Sequence, residues 1–121
     1  MALYYNLPVY TSSYKLTMTL FATIENFSRQ YKYTTGQQIK EEAMSLIKNI
    51  YRANKAIDKV PHIEQARENV EMIRLQLRLT QDFGDVSLKK FVEINLIIEG
   101  VSKQLASWEK YSKNKTGTSP P

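Results

Sequence analysis

Cysteine is absent from the chain and histidine occurs once, at position 62. The first absence removes disulfides, thiolate metal ligands and cysteine nucleophiles. The second leaves no multi-histidine metal site within one chain and little basis for histidine-centred catalysis. No apolar run approaches the ~18 residues that a membrane span needs, and the opening MALYYNLPVY lacks the basic and apolar regions of a secretory signal. The phosphate loop, the dinucleotide-binding GxGxxG and the HExxH zinc motif are missing too, and TTG at 34–36 is too short to stand in for the first. These absences lead to the expectation of a cytoplasmic chain without cofactor, membrane partner or catalytic residues.

Glycine and proline are scarce, four of each in 121 residues, and they act mainly as punctuation. Between them lie four periodic segments. Over about 10–29, Tyr10, Tyr14, Met18, Phe21 and Ile24 or Glu25 follow helical spacing, with Leu16, Leu20 and Phe27 on a neighbouring face and Thr11 or Ser12 as the expected N-cap. Over about 36–57, Ile39, Ala43, Leu46, Ile50, Ala53 and Ile57 keep a 4-3-4-3-4 rhythm, the seam of a bundle helix. Pro61 opens a third segment whose apolar stripe runs Ile63, Ala66, Val70, Ile73, Leu77 and Thr80 and which ends near Phe83-Gly84. Ser87 is the expected cap of a fourth, with Phe91, Ile94, Ile98, Val101, Leu105 and Trp108 in register and Gly100 in its interior.

The pattern predicts an all-α fold, an antiparallel up-down-up-down four-helix bundle, because short connections at 30–35, 58–60 and 84–86 force neighbours to run in opposite directions. Residues 1–9 read as an N-terminal arm, 10–110 as the bundle and 111–121 as a flexible basic tail. Leu16, Leu20, Leu75, Leu79, Val92, Leu96 and Ile97 lie off the main stripes. They fit either a wide core-facing stripe or a second face buried in an oligomer.

Seventeen Lys and Arg against 12 Asp and Glu give a net charge of +5, which admits nucleic acid, an acidic partner or an anionic surface. The distribution says more than the total. Residues 61–86 hold three basic against five acidic side chains, the only segment with an acidic excess. On the second segment Lys48, Arg52, Lys55 and Lys59 recur at 4-3-4, a basic stripe without an acid in it. On the third, Arg67, Glu71, Arg74 and Arg78 share a face, where Glu71 can pair with Arg67 or Arg74 and leave Arg78 freer. Such stripes are either ordinary solvated faces or phosphate contacts; Tyr31, Tyr33 and Tyr51 lie near basic residues where rings can stack on bases, although Tyr51, on the second segment, fits core or interface packing better. Glu41, Glu42, Glu64 and Glu68 fit the dipoles of helix starts better than acid–base chemistry, and His62 fits a solvent-facing first turn.

The runs LPVYTSSYKL (7–16), FSRQYKYTTGQQIKEEAMSLIKNIYRANKA (27–56), MIRLQLRLTQDFGDVSLKKF (72–91) and QLASWEK (104–110) resemble the accessory variability determinant proteins of diversity-generating retroelements. The wider relatives are four-helix bundle proteins encoded by ribosomal-RNA intervening sequences, from which this chain departs at MSLIKNIYRANKA (44–56). The resemblance implies a small bundle that assembles as a homopentameric barrel. It also implies a non-enzymatic role: partnering the element's reverse transcriptase and binding template RNA or cDNA in mutagenic retrohoming. Arg74 and Arg78 match two arginines of the family-like LRLxLRL pattern. Together with Lys48, Arg52, Lys55 and Lys59 they form the candidate nucleic-acid-binding set, with no catalytic or metal-binding residue. Two further readings stay open at this stage, a bundle that binds structured ribosomal RNA and a protein-interaction scaffold. An enzyme with a site shared between subunits ranks last.

Overall fold

The computed structural model describes residues 3–118, with side chains to residue 115. A single 3-10 turn at Tyr4–Asn6 leads into α1 (Pro8–Ile24), α2 (Arg29–Lys32), α3 (Thr35–Lys55), α4 (Val60–Asp82) and α5 (Leu88–Thr118). There is no strand among the described residues. The long helices form a closed square in which α1 packs on α3 and α5, and α4 on α3 and α5. This is the four-helix bundle that the four periodic segments predicted.

Local signals explain most of the boundaries. Pro8 occupies the first turn of α1, where its missing N–H has no partner to lose, and Leu7 precedes it in extended conformation. Helix one therefore starts before Thr11 and Ser12, neither of which caps it, and it stops at Ile24 rather than continuing to 29. Ser87 does cap α5: its Oγ accepts the Lys90 N–H at 3.1 Å. Gly84 takes φ +91°, and the Asp85 and Gly84 amides donate to the Thr80 and Gln81 carbonyls, so α4 ends in a left-handed glycine cap. The expected end of the last helix near 110 is overturned, since α5 continues to Thr118 and buries Ser112. The remainder of the expected tail, 119–121, lies outside the described residues.

The core holds the predicted stripes of α3, α4 and α5 with three exceptions at their edges. Ile39, Ala43, Leu46, Ile50 and Ala53 are buried, but Ile57 is 101% exposed, because α3 ends at Lys55 and the chain turns away from the seam. Phe91 and Trp108 are half-buried at the two ends of the α5 stripe. On α1 the structure reverses the order of the two faces: Val9, Ser13, Leu16, Thr17, Leu20 and Ile24 are buried, while Tyr14 and Met18 are 51% and 57% exposed. Two polar residues disguised the true core face. Thr17 is tolerated there because its Oγ1 donates to the Ser13 carbonyl at 2.8 Å.

Both ends of the bundle are closed by specific contacts. At one end the α1–α3 junction meets the α4–α5 turn: Asp85 Oδ2 accepts the Ser28 N–H (3.1 Å) and hydroxyl (3.0 Å), and Tyr31 stacks on Phe83 with centroids 4.7 Å apart. Gly36 makes this closure possible, since a Cβ there would stand 2.8 Å from Ile24 Cγ2 and 3.1 Å from the Tyr31 carbonyl oxygen. Between α3 and α4, Asn49 donates to Asn69 at 2.8 Å and Asn69 to Glu42 at 3.1 Å, a polar ladder that fixes the register of the pair.

At the opposite end the buried Glu109 accepts a hydrogen bond from Arg67 and pairs with Lys113 at 3.0 Å. The Arg67 and Lys113 hydrogen bonds outweigh the desolvation of the carboxyl and hold it below the ordinary glutamate range. A carboxyl lowered in this way stabilises the fold above its unfolded-state value and ceases to do so as pH falls through the native value. Glu109→Gln is expected to lower stability by about 1–2 kcal/mol at neutral pH. Thermal melts recorded against pH check this: the gap between the two proteins should close in acid, and a gap that is constant with pH would contradict it.

Candidate nucleic-acid interface

The basic residues divide into those already matched by carboxylates and those left open. On α4, Arg74 donates to Glu99 of α5 and pairs with Glu71 at 3.5 Å, and the Glu99 hydrogen bond leads the contacts that raise its pKa. Arg78 pairs with Asp82 at 3.5 Å, so it is less free than its sequence neighbours imply, and Arg67 is engaged by Glu109. Lys48, Arg52 and Lys55 on α3 have no carboxylate partner among the described residues, and all three are exposed. They form the helical stripe that their 4-3 spacing predicted.

Lys59 is not on that stripe. Helix α3 ends before it, and its ammonium turns back to donate to the carbonyls of Ala53 (3.1 Å), Asn54 (2.8 Å) and Ala56 (3.0 Å). It satisfies the unpaired carbonyls at the C-terminus of α3, a capping role. Its burial, with a smaller effect of Lys115, holds its pKa below the usual lysine range. The six candidate residues therefore fall into three places. Lys48, Arg52 and Lys55 lie together on α3, Lys59 is a helix cap, and Arg74 and Arg78 lie on the α4–α5 side, where they line a groove with Phe91 and Asn95.

Sequence reasoning missed what stands beside the α3 stripe. Between α1 and α3 runs a groove of ≈ 480 Å³ lined by Phe21, Lys40, Met44 and Lys48, among others. Lys40 Nζ sits 5.1 Å from the Phe21 ring centroid, and Lys55 Nζ sits 5.4 Å from that of Tyr51. Near the Tyr51 end the aromatic rings make a chain, with Tyr51 on Tyr4 (5.0 Å), Tyr4 on Tyr10 (5.2 Å) and Tyr10 on Tyr14 (6.1 Å). The signal was present in the sequence as the Tyr10–Tyr14–Met18–Phe21 spacing, but it read as core. Of the three tyrosines expected near bases, Tyr31 is committed to Phe83, Tyr33 is exposed beside Lys32, and Tyr51 belongs to this chain of rings. His62, in the first turn of α4, is half-buried rather than solvent-facing.

A second surface is an apolar row on α5, with the exposed Lys89 and Lys103 at its two ends. Leu88, Val92 and Leu96 recur every four residues on α5 and are exposed, with Leu96 at 69%. Gly100 follows at the same interval, and a Cβ there would meet nothing within 4 Å. A glycine inside a helix costs about 1 kcal/mol relative to alanine. No contact among the described residues requires it.

The family model described as bAvd-like matches residues 9–112. The chain belongs to the bAvd-like family. The match spans all four long helices, and membership supports the reading of this bAvd-like protein as an accessory variability determinant, a family not known for enzymes. No curated protein matches the chain. Among the described residues of the bAvd-like chain, no helix is long and apolar enough to cross a membrane.

Proposed function

We propose that this bAvd-like protein is the non-enzymatic accessory subunit of a diversity-generating retroelement. It acts in the cytoplasm as a homopentamer that holds template RNA or cDNA and docks the element's reverse transcriptase, supporting mutagenic retrohoming. Family membership supports the accessory role. The observation that carries the nucleic-acid reading is the row of carboxylate-free cations Lys48, Arg52 and Lys55 on one exposed helix face. Three cations per chain are a modest field, and a ring of subunits multiplies it. The exposed Leu88–Val92–Leu96 stripe with Gly100 supports self-association, since it offers apolar area and a position where a neighbouring backbone can approach. Arg74 and Arg78 contribute less in this reading, because each must leave a carboxylate before it meets a phosphate.

The test is a salt titration of single-stranded RNA binding. Three phosphate contacts predict a slope of log affinity against log salt of about −2, at ≈ −0.7 per contact on a single strand, and a steeper one when several subunits engage the same strand. Replacing Lys48 and Arg52 by alanine should flatten the slope, while Arg74→Ala with Arg78→Ala should change it less. An affinity indifferent to salt would overturn the electrostatic interface. Co-purification of the reverse transcriptase with the wild-type protein tests the partner.

A further inference from the structure

The row of rings with Met44 beside the α3 cations has no role in the fold that accounts for its exposure. Tyr14, Met44 and Tyr51 are all exposed, between 41% and 54%, in a bundle whose core is otherwise closed by aliphatic side chains. We propose that the exposed α1–α3 face, from the groove to the tyrosines that adjoin it, is a stacking site for the unpaired bases of a single-stranded nucleic acid, with Tyr14 and Tyr51 as ring platforms and Lys40, Lys48 and Lys55 on the phosphates. This proposal rests on the nucleic-acid reading above and specifies which form of nucleic acid is taken, and by what.

Three features select this occupant. The first is charge. Lys40 and Lys48 line the groove together with one acid, Glu41, and Arg52 and Lys55 continue the exposed α3 face beyond it; none of the four cations has a carboxylate partner among the described residues. Lys48 and Lys55 are seven residues apart, which puts them about 10 Å from each other on one helix face, and Lys40 lies about 12 Å before Lys48 and about 80° around the helix, toward α1. The second is ring geometry. Edge-to-face contacts from Tyr51 to Tyr4 (86°) and from Tyr4 to Tyr10 (83°), with Tyr10 tilted on Tyr14 (38°), hold the rings in place before anything binds. Little side-chain freedom is then lost on stacking. The third is composition. Every base has a π-face, so tyrosines and the pliant thioether of Met44 accept bases without regard to sequence, whereas a duplex keeps its bases stacked inside.

The experiment compares an oligouridine of about 12 nucleotides with an abasic strand of equal length and equal phosphate count. Fluorescence anisotropy is read on wild type, Tyr14→Leu and Tyr14→Phe, with circular dichroism and light scattering on each. Tyr14 is half exposed, so both variants should fold. The wild type should prefer the base-bearing strand, and Tyr14→Leu should lose about 5- to 100-fold for that strand alone, the worth of one base–aromatic stack. Tyr14→Phe should keep the preference. Equal, salt-dependent binding of both strands by every protein would overturn the groove and leave the phosphate interface standing. Absence of any binding at low salt would overturn both. Two other outcomes overturn the groove as a base site: Tyr14→Leu losing the reverse transcriptase while keeping RNA, which gives the groove to a protein helix, and Tyr14→Leu changing the oligomeric state, which gives it to a second copy.

Discussion

Leu96→Lys is expected to convert the proposed homopentamer into monomers and, although it adds a positive charge, to weaken nucleic-acid binding. Leu96 is exposed in the single chain and sits in the centre of the Leu88–Val92–Leu96–Gly100 stripe on α5. Lysine is as good a helix former as leucine within a few tenths of a kcal/mol, so the bundle itself should be unaffected. In a closed ring the same substitution occurs at every interface. Each loses roughly 2 kcal/mol of leucine burial and gains the larger cost of desolvating an ammonium. The consequence for ligand binding is indirect. A strand that reaches several α3 stripes binds multivalently, and loss of the ring removes on the order of 10²- to 10⁴-fold in avidity. Native mass spectrometry and RNA anisotropy on the same sample check both halves. A Leu96→Lys protein that stays assembled would remove α5 from the interface. A monomer with undiminished affinity would show that one chain's cations suffice.

The second large effect is on the fold. Gly36→Val should destabilise the bundle severely, and Gly36→Ala by about 1–3 kcal/mol, because the added Cβ meets Ile24 Cγ2 at 2.8 Å, the Tyr31 carbonyl at 3.1 Å and the Phe27 ring at 3.4 Å. Neither neighbour yields easily: Ile24 is in the core and the Tyr31 carbonyl belongs to the backbone of the α1–α3 junction. For a domain of this size the alanine variant corresponds to a fall in Tm of roughly 5–15 °C. Gly100→Ala provides a control of opposite sign, since its Cβ meets nothing within the chain and helix propensity favours alanine by about 1 kcal/mol. That control is read most cleanly in the monomeric Leu96→Lys background. Equal effects at Gly36 and Gly100 would mean that the close approach at the junction is not what makes Gly36 necessary.

These two glycines show how far a linear reading reaches. In the sequence Gly36 follows two threonines in a stretch that holds no phosphate-binding signature, and Gly100 interrupts an otherwise regular helix. Only the packing of α2 and Ile24 against the start of α3 reveals that Gly36 is a steric necessity. Only the emptiness around Gly100 reveals that nothing among the described residues explains it. The Tyr10–Tyr14–Met18–Phe21 spacing was equally ambiguous. Two amphipathic faces competed on α1, and the one that carried Ser13 and Thr17 won the core, leaving Tyr14 and Met18 exposed and Phe21 at the groove beside α3.

The number and order of the long helices, the antiparallel path and the core stripes of α3, α4 and α5 were determined by the sequence alone. Apolar spacing at 3.6 residues per turn, a capping serine and a left-handed glycine are local properties, legible without knowledge of neighbours. The basic stripe of α3 was legible for the same reason. Which of the basic residues remain open to a ligand was decided by the tertiary structure. Lys59 is drawn into a cap because α3 ends four residues before it, and Arg74 and Arg78 are matched by Glu99, Glu71 and Asp82, one of them from another helix. Charge availability depends on what stands within about 4 Å across the bundle, and helical periodicity carries no information about that distance.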